Sequence, residues 1–134
     1  MGDIALSVAA DGNANGFSAV QAKLAALQRT AVQLHEHAER VTQRMRANAK
    51  TAAAGADLSA AAQVDGRHVS AIEEVAAHFG RVARGARGLS GSADAMHRAA
   101  GRVRSEHRAE YGGVQAAVTA SRARQAKPGF YRQQ

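Results

Sequence analysis

Residues 17–45, FSAVQAKLAALQRTAVQLHEHAERVTQRM, decide the fold of this 134-residue chain. Apolar or small side chains recur there at alternating intervals of three and four residues, which is the heptad pattern of helices that pack side by side. The pattern comprises Phe17, Val20, Leu24, Leu27, Ala31, Leu34, Ala38, Val41 and Met45. It predicts a first helix with Ser18 as its N-cap and an end near Gly55, where a left-handed C-cap is sterically free.

A second heptad pattern starts at Leu58. Its members are Leu58, Ala61, Asp65, His68, Ile72, Val75, Phe79, Val82, Ala86, Leu89, Ala93, Met96, Ala100, Val103 and His107. Short connections favour antiparallel neighbours, so the two patterns predict an all-α fold, a long antiparallel helical hairpin or coiled coil. We expect the polar members Asp65, His68 and His107 to set register or partner choice.

The second helix is predicted to be longer than the first, so part of its apolar seam lacks a partner within the chain. Either the chain pairs with a second copy or another helical protein, or the second helix breaks near Gly88 into a three-helix bundle. Glycines at 85, 88 and 91 weaken this segment, since each costs about 1 kcal/mol in a helix interior. The heptad pattern passes through them without a phase shift, which favours a continuous helix.

The pattern divides the chain into three segments. Residues 1–16 are rich in turn formers and predict a flexible N-terminal arm, and residues 17–111 form the hairpin domain. Residues 112–134 are expected to form a short helix, from Val114 to Arg124, and a basic tail. Aromatic side chains beside a Pro-Gly turn suit docking into a partner's groove, although the tail can equally pack on its own helices. The candidate docking residues are Lys127, Pro128, Gly129, Phe130 and Tyr131.

Composition argues against a catalytic pocket. Ala occupies 34 positions, Cys and Trp none, and Leu, Ile, Val and Phe together only 22, which leaves few large side chains to wall a concave site. No G-x-S-x-G, Walker A or H-E-x-x-H pattern occurs. We therefore expect no enzyme, no cofactor and no small-molecule substrate.

Metal binding and membrane insertion are not indicated either. His35 is expected near His78 if the hairpin turns at residues 55–57, but no set of three or four convergent ligands emerges, so we expect no metal site. No apolar run approaches the roughly 18 residues needed to span a bilayer. We expect a soluble, cytoplasmic protein without a membrane span.

Positive charge is concentrated in the second half of the chain. Residues 1–80 hold 7 basic and 8 acidic side chains, whereas residues 81–134 hold 11 basic and 3 acidic ones. An outward-facing basic stripe is typical of polyanion binding, although a solvated helix face has the same composition. The candidate residues are Arg81, Arg84, Arg87, Arg98, Arg102 and Arg108. Binding to double-stranded DNA through them is expected to be non-specific and salt-sensitive.

Two family resemblances follow from particular residues. The start of the first helix, Ala19 to Leu24, and the tail Lys127 to Phe130 resemble short Ala-rich conjugal transfer proteins of actinobacterial, Streptomyces-type conjugative elements. That resemblance implies a non-enzymatic accessory of conjugative DNA transfer that works beside a separate double-strand DNA translocase. The helical hairpin also resembles secreted WXG100-type proteins, but the chain has no Trp for their turn. A structural coiled-coil adaptor is the remaining alternative.

Overall fold

Two long helices make up the fold. The structure is a computed structural model and describes residues 16–121. Helix α1 runs from Phe17 to Ala61 over 45 residues, and helix α2 runs from Gly66 to Ala120 over 55 residues. The helices pack against each other as a helical hairpin, and no strand occurs within residues 16–121. The predicted all-α class is confirmed. Residues 1–15 of the expected N-terminal arm lie outside the described residues, and so does the KPGFY tail.

Helix α1 begins one residue after Gly16. The carbonyl oxygen of Gly16 accepts the first helical hydrogen bond, 3.0 Å from the backbone nitrogen of Val20. An N-cap is the residue whose carbonyl accepts that first bond, so Gly16 holds the cap position. The expectation that Ser18 caps the helix is wrong, since Ser18 lies inside the first turn.

The turn between the helices lies later than expected. Helix α1 passes through Gly55, and its C-cap is Gln63, which adopts a left-handed φ of 58°. The backbone nitrogen of Val64 donates to the carbonyl of Ser59 at 3.0 Å, and that of Gln63 donates to the carbonyl of Ala60 at 3.0 Å. These two bonds define a Schellman motif. The predicted end near Gly55 is wrong because alanine-rich sequence on both sides keeps that glycine helical.

Asp65 caps the second helix. Its carboxylate accepts a hydrogen bond from the backbone nitrogen of Arg67 at 2.9 Å, which is the N-cap geometry. The guanidinium of Arg67 lies 3.3 Å from the same carboxylate. The predicted place of Asp65 and His68 in the helix–helix seam is therefore wrong, because both are exposed at the turn.

Helix α2 is continuous. It passes through the glycines at 85, 88 and 91, so the three-helix alternative with a break near Gly88 is wrong. It also passes through Gly112 and Gly113 to Ala120, with no separate helix starting at Val114. One glycine costs about 1 kcal/mol, and Ala86 and Arg87, which lie between Gly85 and Gly88, are good helix formers. The glycines weaken the helix locally without ending it.

The chain divides into two compact units. The terminal unit comprises residues 16–27 and 100–121 of those described, and the turn unit comprises residues 28–99. In the turn unit the buried side chains are all small, and none of the large apolar ones is fully buried. They are Ala31, Ala38, Thr42, Ala56, Ala83, Ser90 and Ala93. Small residues at a helix contact allow the two axes to approach closely.

Half of the predicted seam is correct. In the turn unit, Ala31 and Ala38 of α1 and Ala93 of α2 are buried as expected. The other half is shifted by one residue, because Ser90 is buried where Leu89 was expected, at 3% against 48% exposure. Five positions follow the same rule, whereas Leu34 and His35 are both half-buried: Thr42, Ala76, Ala83, Ser90 and His97 are less exposed than Val41, Val75, Val82, Leu89 and Met96. In each of these five pairs the larger apolar side chain lies beside the seam.

Candidate polyanion-binding groove

An open groove of about 680 Å³ lies between the two helices of the turn unit. Four cationic side chains line it: Arg46 and Lys50 from α1, and Arg84 and Arg87 from α2. The remaining lining residues are uncharged: Gln43, Ala47, Ala49, Gly80 and Ala83. The groove thus has a cationic rim and a floor of small side chains.

Helical spacing explains why the cations converge. Arg46 and Lys50 are four residues apart, and Arg84 and Arg87 are three apart, so each pair shares one face of its helix. A Cβ added to Gly80 would lie 3.8 Å from Nη1 of Arg84. The guanidinium of Arg84 therefore reaches back over Gly80, within ordinary van der Waals contact of such a Cβ.

The positive charge of the groove is not neutralised by an ion pair. Within residues 16–121 two ion pairs occur, Asp65 with Arg67 and Asp94 with Arg98, and neither involves a groove residue. Like charges held on one concave surface raise the local positive potential and attract anions. The groove is therefore suited to a ligand that carries several negative charges.

Two of the six arginines predicted from the sequence line the groove. Arg84 and Arg87 do so, whereas Arg81 donates to Nδ1 of His78 at 2.6 Å and Arg98 pairs with Asp94 one turn earlier. The others, Arg102 and Arg108, are exposed in the terminal unit. The six predicted arginines therefore do not line one common groove in the turn unit.

Sequence reasoning missed Arg46 and Lys50. The excess of positive charge lies after residue 80, whereas these two cations belong to the part of the chain in which basic and acidic side chains nearly balance. Their i, i+4 spacing was a usable signal. To place these cations opposite Arg84 and Arg87, the prediction also needs the pairing register of the hairpin, and a turn at Gly55 gives the wrong register.

A polar network fixes that register beside the groove. The hydroxyl of Ser90 donates to Oε1 of Glu39 at 2.6 Å and lies 2.9 Å from Nδ1 of His35. Because its one proton is used on the carboxylate, the hydroxyl accepts from His35, whose Nδ1 also lies 3.2 Å from the carbonyl of Ser90. One register of the two helices satisfies all three contacts.

The histidines lie apart from one another. His35 lies beside Ser90 and not beside His78, because the true turn moves its partner along α2 by about a dozen residues. Nδ1 of His97 donates to the carbonyl of Gln28 at 3.2 Å. In the part of the chain that the structure describes, no three His, Cys, Asp or Glu side chains are grouped to hold a metal ion.

The terminal unit has its own polar contact between helices. Nε2 of Gln21 donates to the carbonyl of Arg104 at 3.1 Å and to Nδ1 of His107 at 2.9 Å. The imidazole of His107 also stacks on Phe17, with ring centroids 5.1 Å apart, and lies 5.2 Å from the ring of Tyr111. His107 lies in the seam, as the heptad pattern predicts.

Comparisons give no further guide to the site. No protein-family profile, curated protein or solved structure matches this chain. Neither helix has a stretch in residues 16–121 that is long and apolar enough to cross a membrane. The candidate site therefore stands on its geometry and charge.

Proposed function

We propose that this chain is a non-enzymatic helical interaction module that binds double-stranded DNA through the basic groove. The observation that carries the proposal is the convergence of two cations from each helix on one groove whose lining contains no acidic side chain. Duplex DNA presents closely spaced phosphates, and Lys and Arg that neutralise them release counterions. The groove residues offer charge without aromatic platforms or base-reading elements, so the binding is sequence-independent.

The resemblance to conjugal transfer proteins gives this module a biological setting. We propose that it acts as an accessory of conjugative DNA transfer, where a sequence-independent grip on duplex DNA supports a separate translocase. This role predicts that loss of the chain lowers transfer frequency in a donor. A copy that lacks the groove cations should fail to restore transfer.

Salt dependence tests the DNA contact. The logarithm of the binding constant falls with the logarithm of salt concentration, with a slope of about −0.9 per neutralised phosphate. Four groove cations therefore predict a slope of about −3.6 if each contacts one phosphate. Fluorescence anisotropy of a labelled duplex, titrated with the protein between about 50 and 200 mM salt, measures this slope.

Paired variants separate the groove from general positive charge. Arg46→Gln with Arg84→Gln removes one groove cation from each helix and should reduce the slope by about 1.8. Arg40→Gln with Arg81→Gln removes the same charge from exposed sites outside the groove and should change the slope little. Equal losses for the two double variants would contradict a site in the groove, and a wild type without salt-dependent binding would favour the coiled-coil adaptor.

A further inference from the structure

Large apolar side chains on α2 face water in a regular row. Val75, Val82, Leu89 and Met96 are exposed by 47%, 50%, 48% and 44%, respectively. They follow each other at intervals of seven residues, so they occupy one side of the helix. Packing within the chain does not explain why large apolar side chains recur at these solvent-exposed positions.

Helix α1 adds to the same surface. Leu34 and Val41 are half-buried and precede the seam residues His35 and Thr42 by one position. The exposed row on α2 precedes its own seam residues by one position too. In two antiparallel helices an equal angular offset from the seam places both rows on the same side of the pair. We call these six residues of the turn unit the apolar face: Leu34, Val41, Val75, Val82, Leu89 and Met96.

The basic groove lies on the opposite side. Arg46 and Arg87 follow the seam residues Met45 and Ala86 by one position, whereas members of the apolar face precede seam residues. The opposite angular offset gives the opposite side of the helix pair. Two apolar faces can therefore meet without bringing the cationic grooves of two copies together.

We propose that the apolar face binds the apolar face of a second copy of this chain, so that the two turn units form a four-helix bundle. Helices in the core of a bundle present three positions of each heptad, a and d plus e or g, to the core. Within one chain α1 and α2 use two of these three positions, and the unused one carries Leu, Val and Met side chains. A second copy completes the pattern that the sequence specifies.

The size of the face suits a specific dimer. From Val75 to Met96 the face is about 31 Å long, and two helices are about 20 Å wide, which gives on the order of 600 Å² on each copy. The pair would bury about 1,200 Å² in total, above the roughly 1,000 Å² expected of a specific interface.

Side-chain size indicates which helices meet. The outer edge of the apolar face on α2 carries His78 near one end and then Gly85 and Ser92, and a Cβ added to Gly85 would meet nothing within 4 Å in its own chain. The outer edge on α1 carries His37 and Arg44, which are long and exposed. Packing α1 of one copy on α2 of the other places long side chains over small ones. The two-fold axis then runs parallel to the helices.

Sedimentation equilibrium of the full chain between about 1 and 100 µM tests the proposal. The expected mass at the upper concentrations is twice the chain mass of 13.9 kDa. Leu89→Glu should raise the dimer dissociation constant at least about 100-fold, because the two-fold axis repeats the buried charge. Its circular dichroism should stay helical, since Leu89 is half exposed within the chain. Val32→Glu is the matched control, because Val32 is 39% exposed on the groove side.

Two results would overturn the proposal: a wild-type chain that stays monomeric at 100 µM, or a dimer that Leu89→Glu leaves intact. Binding to lipid vesicles or to an unrelated helical peptide without self-association would assign the face to another occupant. The packing order has its own test, because the chain lacks cysteine. In a variant that carries both Arg44→Cys and Gly85→Cys, a short bis-maleimide should join position 44 of one copy to position 85 of the other and give a cross-linked dimer. A variant with Gly85→Cys alone should not cross-link.

Discussion

Replacement of Gly88 by alanine should stabilise the protein. Gly88 lies in the interior of α2 and is exposed, and an added Cβ would meet nothing within 4 Å. It lies on neither the groove nor the apolar face. Alanine is favoured over glycine in a helix interior by about 1 kcal/mol, mainly because glycine loses more backbone entropy on folding. With no contact to offset this gain, we expect the free energy of unfolding to rise by about 0.5–1 kcal/mol.

Urea unfolding followed by circular dichroism at one fixed protein concentration measures this effect. With an m value of about 1–3 kcal/mol/M, the midpoint should rise by roughly 0.2–1 M while m stays constant. Gly66→Ala is the control, because Gly66 is the first residue of α2 and also has open space at its Cβ. Its gain should be smaller, since a helix end is less sensitive to propensity. An unchanged or lower midpoint for Gly88→Ala would refute a continuous helix at this position.

Three further changes test the turn and the polar network. Gln63→Gly should stabilise the protein by about 0.5–1 kcal/mol, because glycine adopts the left-handed φ of 58° without a Cβ penalty; chemical denaturation measures it. Ser90→Ala should destabilise it by about 1–3 kcal/mol, since it leaves Glu39 without its hydroxyl donor; an unchanged unfolding midpoint would contradict the network. Hydrogen bonds from Arg67 hold the pKa of Asp65 below its ordinary value of 3.8. The stability from this cap is complete above that value and is lost as the pH falls through the lowered folded pKa, so Asp65→Asn should flatten the acid limb of a stability profile.

The sequence was sufficient for the class of fold but not for the seam. Heptad spacing predicts two helices that pack together, and it places Ala31 and Ala93 correctly. Heptad spacing does not determine whether the second seam position is Leu89 or the next residue, Ser90, because the alanines at the first seam position fit against either neighbour. His35 and Ser90 occupy the second seam position because they find hydrogen-bond partners there, which a rule based on hydrophobicity does not foresee.

The position of the turn was harder to predict. Gly55 has the residue type preferred at a C-cap, whereas the true cap, Gln63, has no such signal. The Asp65–Gly66 pair was the better indicator, since aspartate is a preferred N-cap. An eight-residue error in the turn shifted every predicted contact between the helices. For this reason the groove, which depends on both helices, was only half predicted.

A seam of alanines has consequences for how stability depends on temperature. The side chains that the turn unit buries are small, so unfolding of an isolated chain exposes little hydrocarbon for its length. The heat-capacity increment of unfolding scales with that exposed apolar area. We therefore expect calorimetry of the dilute chain to give a shallow stability curve, in which the free energy of unfolding differs little between refrigeration and physiological temperature.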